Sequence, residues 1–201
     1  MSYNSYEDDG YGRRQVSFIL PLIALNVVFF LFTQGSDRMG LLLAFQPRLV
    51  LRLEVWRLVT YMFVHGSFVH LLFNMWGLYL FGRLLEGELG SWRFLILYFV
   101  SGIIGALLWS VFNFNRNAIL IGASGAIFGV VVATAMAFPD MRIMLLIPPI
   151  PMKLKTFCWV YIIIEVLEAL FSTSSVAHLA HLGGALGGFL FINSLKNRNR
   201  Y

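Results

Sequence analysis

A serine stands among glycines in residues 121–129, at the start of a charge-free run long enough to cross a bilayer. A serine hydroxyl is a poor nucleophile until a base takes its proton, and histidine is the usual base. We therefore predict that Ser124 is a nucleophile and that His181, at the start of another apolar run, is its general base. Because no Asp or Glu is obviously placed to orient His181, a Ser-His dyad is expected rather than a triad.

Acyl transfer also needs donors for the oxyanion that forms on the attacked carbonyl. His70 and Asn74 are four residues apart, so they share one face of a helix, and both side chains can donate hydrogen bonds. The backbone N–H of Ser124 is a further donor, because early N–H groups of a helix lack intrahelical partners. These groups predict an oxyanion site in front of Ser124.

The composition indicates an integral membrane protein. Of 201 residues, 59% are hydrophobic, against roughly 45–50% in ordinary soluble domains. The net charge of +5 is spread along the chain and forms no dense basic patch, which argues against a nucleic-acid partner. With Cys158 as the single cysteine, no intrachain disulfide can form.

Six charge-poor runs predict an all-α, polytopic membrane protein with six transmembrane helices. We call them spans 1 to 6, and they are residues 15–36, 58–82, 94–115, 117–139, 156–171 and 176–195. They form one membrane domain, 16–195, between a disordered cytoplasmic tail, 1–15, and a basic cytoplasmic tail, 196–201.

Two connectors are too apolar to be ordinary loops. Residues 37–57 mix charged and large apolar side chains, which is typical of an amphipathic segment lying in the membrane interface. Residues 141–155 contain three prolines, which predicts a surface connector without a continuous helix.

The distribution of basic residues predicts the orientation in the membrane. Ten of the lysines and arginines fall on the side that carries both termini and five on the other. Because basic residues favour the cytoplasmic side, both termini are expected in the cytoplasm, with the chain in the plasma or inner membrane.

Spans 2, 4 and 6 must run in the same direction, so their N-terminal ends lie at one membrane face. The candidate residues are near those ends, at a depth of roughly 10 Å if the helices begin where the runs do. Small residues at Gly125 on span 4, and at Gly184 and Gly188 on span 6, allow two membrane helices to approach closely. Such an approach is needed to bring Ser124 within reach of His181.

These motifs together resemble the rhomboid family of intramembrane serine proteases, over essentially all of residues 17–195. The residues that carry the resemblance are Trp56, Arg57, His70, Asn74, Gly122, Ser124, Gly125, His181, Gly184 and Gly188. The resemblance implies hydrolysis of peptide bonds in or near transmembrane segments, with no cofactor and no metal, by Ser124 and His181, with His70 and Asn74 as oxyanion donors. It also implies that the segment around Trp56 and Arg57 lies sideways in the outer leaflet and that span 5 borders substrate entry.

Phe128 departs from the best-known bacterial pattern, because it stands where a tyrosine often packs on the catalytic histidine. A phenylalanine can still stack there, so only a hydroxyl contact is in doubt. His178 competes with His181 for the role of base, but the family pattern favours His181 and leaves His178 at the interface. His65 is more readily a structural hydrogen-bond partner than a catalytic group.

Other polar residues have structural alternatives. Glu165 and Glu168 on span 5 are interpreted as structural or snorkelling carboxylates. Trp56 and Arg57 also suit a simple interfacial anchor.

The partners expected are transmembrane protein substrates and the lipid bilayer. The main alternative is a rhomboid-like protein that binds membrane clients without cutting them, although such proteins typically lack the serine or the histidine. No His-Glu-x-x-His motif or pair of membrane aspartates supports a metalloprotease or an aspartyl protease, and no repeat supports a transporter. The substrate, the route of entry and the oligomeric state stay open.

Overall fold

The computed structural model describes residues 16–145, 149–171 and 177–198. Most of these residues are helical, as the sequence predicts. The helices are α1 (Ile19–Gln34), α2 (Asp37–Leu43), α3 (Pro47–Val50), α4 (Arg57–Thr60), α5 (Phe68–Gly77), α6 (Arg83–Leu89), α7 (Ser91–Asn113), α8 (Ser124–Ala137), α9 (Leu154–Phe171) and α10 (His178–Arg198). The predicted tail 1–15 and residues 199–201 lie outside the described part, while residues 196–198 continue α10 rather than forming a separate tail.

Helix length and composition identify fewer membrane crossings than the six predicted. Among the described residues, two helices are long and apolar enough to cross a membrane, Phe68–Leu89 and Ser91–Asn113. The first of these is continuous because a π-helical stretch, Leu78–Gly82, joins α5 to α6. Helices α1 and α8 are apolar but shorter.

The regular helices of spans 2 and 4 begin later than the charge-free runs. Span 2 begins with α4 and a short 3-10 turn, Tyr61–Phe63, and its continuous helix starts only at Phe68. In span 4, residues 117–123 are not helical, and α8 starts at Ser124. Ser124 is therefore the first residue of its helix, which agrees with the early helical position expected for its backbone N–H. A charge-free run shows which residues are apolar, but it does not show where a helix begins.

The proline-containing connector 141–155 forms a small hairpin, which the all-α prediction did not include. Strand β1 (Arg142–Met144) pairs antiparallel with β2 (Pro151–Lys153), with Ile143 opposite Met152. Lys153 binds the exposed Asp140 carboxylate at 2.8 Å, and this hydrogen bond lowers the pKa of Asp140.

Helix α8 forms the centre of the bundle. Every residue from Gly125 to Ala135 is buried, and α8 packs against α7, α10 and the π-helical stretch. A helix that is apolar on all sides is typical of a protein interior or a membrane span. This central position places the N-terminal end of α8, and hence Ser124, next to the start of α10.

Large apolar side chains cover the outer faces of the surrounding helices. Examples are Leu31 and Phe32 on α1, Val111 on α7, and Trp159 and Phe171 on α9, each of which is at least 66% exposed. Soluble monomers rarely expose apolar surface on this scale, so these faces suit contact with lipid.

A buried carboxylate and a glycine turn fix two of the helix ends. The buried Glu86 carboxylate accepts hydrogen bonds from the Ser17 hydroxyl at 2.5 Å and from the Phe18 N–H at 2.7 Å. It therefore ties the beginning of α1 to α6. Between α6 and α7 the chain turns at Gly90, whose φ of 80° favours glycine.

Candidate active site

The loop before α8 places Ser124. Leu120 exchanges two backbone hydrogen bonds with Phe45, at 3.0 and 2.9 Å, and Gly122 donates its N–H to the Tyr61 carbonyl at 2.9 Å. Gly122 has a φ of 109°, and a Cβ built on it would lie 2.8 Å from the His70 ring. Only glycine satisfies both conditions at low cost. The His70 ring of α5 therefore lies against the backbone of this loop, just before Ser124.

Helices α8 and α10 cross closely through their glycines, as the spacing of small residues predicts. A Cβ on Gly184 would collide with the backbone carbonyl of Gly125, and one on Gly188 would collide with the carbonyl of Gly129. A Cβ on Gly125 itself would lie 3.2 Å from the Ala180 carbonyl oxygen. The two backbones are thus in direct contact over the turns that carry Ser124 and His181.

This contact brings Ser124 and His181 together. The Nε2 atom of His181 lies 2.7 Å from Oγ of Ser124, and both side chains are part-buried. That separation is typical of a hydrogen bond to a hydroxyl and lies within the range for a nucleophile and its base.

Phe128, one turn after Ser124, stacks on the imidazole. The ring centroids of Phe128 and His181 are 4.5 Å apart and the planes differ by 5°. Tyr161 of α9 stacks on Phe128 at 4.6 Å. Phe128 therefore lies beside the histidine as the sequence predicts, and the ring of Tyr161 on α9 packs against Phe128 in turn.

The expectation that no carboxylate lies next to His181 was wrong. Oε2 of Glu165, on α9, is 3.0 Å from Nδ1 of His181. Glu165 is buried, whereas Glu168 is exposed. The contact joins two helices, so it depends on how α9 is rotated about its axis, which the sequence does not reveal. One signal was available, because an ionisable residue within an apolar helix is by default a candidate functional residue.

His178 shares the same carboxylate oxygen, with its Nδ1 at 2.8 Å. It is therefore part of a polar cluster and not simply an interfacial side chain. Glu165, His178 and His181 offer ligand atoms within 4.8 Å of one another and are chemically able to hold a metal ion. However, two ligand atoms of one tetrahedral zinc ion lie about 3.3 Å apart, because each bond to the metal is about 2.0 Å long. The two Glu165–histidine distances, 2.8 and 3.0 Å, are shorter than that and are ordinary hydrogen bonds.

The two side chains predicted as oxyanion donors, His70 and Asn74, both lie on α5, and His65 lies on the loop before it. Asn74 is buried and donates its amide to the His70 carbonyl at 2.8 Å, and its Oδ1 has no hydrogen-bond partner among the described residues. His65 is also buried, packs edge-on against His70 with ring centroids 5.0 Å apart, and accepts a hydrogen bond from Gln34 through its carbonyl oxygen. These contacts suit the structural role expected for His65.

Comparison with known proteins agrees with the motifs. The profile of the Rhomboid domain matches residues 52–197. The chain belongs to the rhomboid family.

Three curated relatives show the range of similarity. "Rhomboid protease GluP" of Bacillus subtilis (strain 168) is 35% identical over 86% of this chain and 34% of its own length. "RHOMBOID-like protein 1" of Arabidopsis thaliana is 37% identical over 68% of this chain and 33% of its own length. "Rhomboid protease GlpG" of Photorhabdus laumondii subsp. laumondii is 30% identical over 100% of this chain and 71% of its own length. The chain therefore spans about a third of the first two relatives, and it belongs to a membrane-embedded family.

The Trp56-Arg57 pair of this rhomboid organises the connector before the site. Arg57 is buried, forms a salt bridge with Glu54 at 2.7 Å, and donates to the carbonyls of Leu41 and Ala44, each at 2.6 Å. Trp56 is more exposed and donates to the Leu42 carbonyl at 3.3 Å. Residue 44 directly precedes Phe45, which pairs with the loop before Ser124. Arg57 is thus more than an interfacial anchor, because it fixes the segment on which that loop rests.

Proposed function

We propose that this chain is an intramembrane serine endopeptidase that hydrolyses peptide bonds in or near transmembrane segments of membrane proteins. The observation that carries the proposal is the 2.7 Å contact between Nε2 of His181 and Oγ of Ser124, across two helices that meet at glycines. Membership of a family that includes proteins named as proteases supports it.

In the proposed reaction, Oγ of Ser124 attacks the scissile carbonyl carbon while Nε2 of His181 takes the hydroxyl proton. The tetrahedral intermediate collapses when His181 gives this proton to the leaving amine. Water then attacks the acyl-enzyme with His181 again as base, which releases the acid product and restores Ser124. No cofactor enters these steps.

The developing oxyanion needs donors near Ser124. The N–H of Ser124, at the first position of α8, has no partner within its own helix. The Asn74 amide carries a second hydrogen besides the one given to the His70 carbonyl. The His70 ring lies against Gly122, two residues before the nucleophile. These three groups are the proposed oxyanion donors.

For the membrane arrangement, we propose six crossings within residues 16–195, made by α1, α5 with α6, α7, α8, α9 and α10, with both termini in the cytoplasm of the plasma or inner membrane. The exposed apolar faces of α1, α7 and α9 support contact with lipid. The contact between the starts of α8 and α10 supports parallel spans 4 and 6. Transmembrane protein substrates would then meet Ser124 from the non-cytoplasmic side.

The test is reconstitution of the full chain into liposomes with a panel of single-span substrates, comparing wild type with Ser124→Ala and His181→Ala. We expect cleavage by the wild type and none by either variant. Binding of the substrates by wild type without any cleavage contradicts the proposal and favours a client-binding rhomboid-like protein.

Replacing Asn74 with alanine is expected to slow cleavage roughly 10- to 1000-fold, because one oxyanion donor is lost. The matched control is Asn26→Ala on α1, since Asn26 is also buried and makes the same 2.8 Å bond to a carbonyl of its own helix. We expect the control to keep the wild-type rate. Equal rates for Asn74→Ala and wild type in the liposome assay exclude Asn74 from the site.

A further inference from the structure

The carboxylate of Glu165 lies beside His181, on the side of the ring opposite Ser124. Oε2 of Glu165 is 3.0 Å from Nδ1 of His181 and 2.8 Å from Nδ1 of His178. The Glu165 side chain is only 6% exposed, and those of His178 and His181 are 20% and 14% exposed. The carboxylate is thus held between α9 and α10.

This contact selects the form of the imidazole. An ionised carboxylate can only accept hydrogen bonds, so the proton of neutral His181 must be on Nδ1. Nε2 is then unprotonated, and it faces Oγ of Ser124 at 2.7 Å. Contact with Glu165 therefore holds His181 in the one tautomer that can take the serine proton.

The contact also suits the charged form. When Nε2 takes the proton of Ser124, His181 becomes an imidazolium whose Nδ1–H still points at the carboxylate. The acceptor is already ionised, so the new positive charge adds Coulomb attraction to an existing charge-assisted hydrogen bond. Glu165 thus stabilises His181 at the step in which the hydroxyl proton moves.

We infer that Glu165 is a positioning residue for the Ser124–His181 pair, an inference that rests on the proposed protease function. It holds the tautomer of His181 and stabilises the imidazolium. His178 donates a second hydrogen bond that keeps the carboxylate in place. Phe128 fixes the ring from its face, so the imidazole is held on both nitrogens and on one side.

A purely structural tie between α9 and α10 has different consequences. Helix α9 buries only Leu154, Cys158 and Glu165, so loss of Glu165 in that case loosens α9. Loosening alters stability and the affinity for a substrate that passes along α9. It does not lower the rate of the chemical step at saturating substrate.

The experiment measures kcat and KM of Glu165→Gln in the full chain, with a single-span substrate in liposomes. Glutamine keeps the size of the side chain and removes its charge. We expect kcat to fall roughly 10- to 100-fold, as for other groups that orient a functional histidine, with KM unchanged. Glu165→Asp restores the charge and is expected to recover part of kcat. The matched control is Glu168→Gln, on the exposed face of the same helix, and it should equal wild type.

A spectroscopic readout tests the hydrogen bond itself. In chains labelled with nitrogen-15 histidine, we expect a far-downfield Nδ1 proton resonance in wild type and Glu168→Gln and its loss in Glu165→Gln. An unchanged kcat in Glu165→Gln, or a change in KM alone, overturns the inference while leaving the protease function intact. Absence of cleavage by wild type overturns the protease function itself. Cleavage that stops on adding a chelator contradicts the hydrogen-bonding role and assigns the cluster to a metal.

Discussion

Replacing Ser124 with alanine is expected to lower the rate of substrate cleavage by on the order of 10⁴-fold or more, because no acyl-enzyme can form without the hydroxyl. The protein should still fold. Within the described part of the chain, the change removes one side-chain hydrogen bond, that with His181, which corresponds to about 1 kcal/mol in the free energy of unfolding. Cleavage of a single-span substrate in liposomes and thermal unfolding in detergent measure the two effects separately.

The matched control for this change is Ser110→Ala on α7. Ser110 is also part-buried, and its hydroxyl donates to the Ala106 carbonyl at 2.7 Å. We expect Ser110→Ala to cleave like wild type. Appreciable turnover by Ser124→Ala that depends on His181 contradicts the assignment of the nucleophile.

Replacing Gly184 with alanine is expected to reduce both stability and activity. The new methyl group meets the backbone carbonyl of Gly125, and a backbone on another helix cannot move aside as a flexible side chain can. Overpacking of this kind costs about 1–3 kcal/mol. Separating α8 from α10 also moves Ser124 away from His181, and a displacement of about 1 Å costs on the order of 100-fold in rate.

Thermal unfolding and cleavage are measured on the same Gly184→Ala sample. Gly40→Ala serves as the control, because Gly40 is also helical, on α2, and no described residue lies within 4 Å of a Cβ built there. The control is expected to keep wild-type activity. If Gly184→Ala cleaves like wild type, the close crossing is not what holds Ser124 against His181.

The sequence predicts which helices meet because that depends on apolar runs and on counting crossings. With six crossings, as we propose, runs 2, 4 and 6 share a direction whatever their exact ends, and the small residues at Gly125, Gly184 and Gly188 predict a close approach of spans 4 and 6. The structure has that close crossing of α8 and α10. This part of the fold follows from local composition alone.

The start of α8 could not be predicted in the same way. It depends on the positive φ of Gly122 and on pairing between Leu120 and Phe45. Phe45 is far away in the chain, and its own position depends on the carbonyl contacts of Arg57. An apolar run carries no information about such distant pairs.

The place of Glu165 beside His181 was missed for a related reason. A single carboxylate in an apolar helix can point to lipid, to the interface or to the interior, and only the rotation of α9 decides which. The burial of Glu165 and the exposure of Glu168, three residues later, resolve this. His178 was likewise assigned to the interface because its partner lies on another helix.

The central claim is that His181 activates the hydroxyl of Ser124. The most direct measurement is the rate at which a fluorophosphonate reagent modifies the chain in detergent, with the modified residue located by mass spectrometry, in wild type and His181→Ala. We predict a single phosphonylated residue, Ser124, and a rate in His181→Ala at least about 100-fold lower, since a general base contributes at least that much. Modification of another residue, or equal rates in the two proteins, would contradict the account.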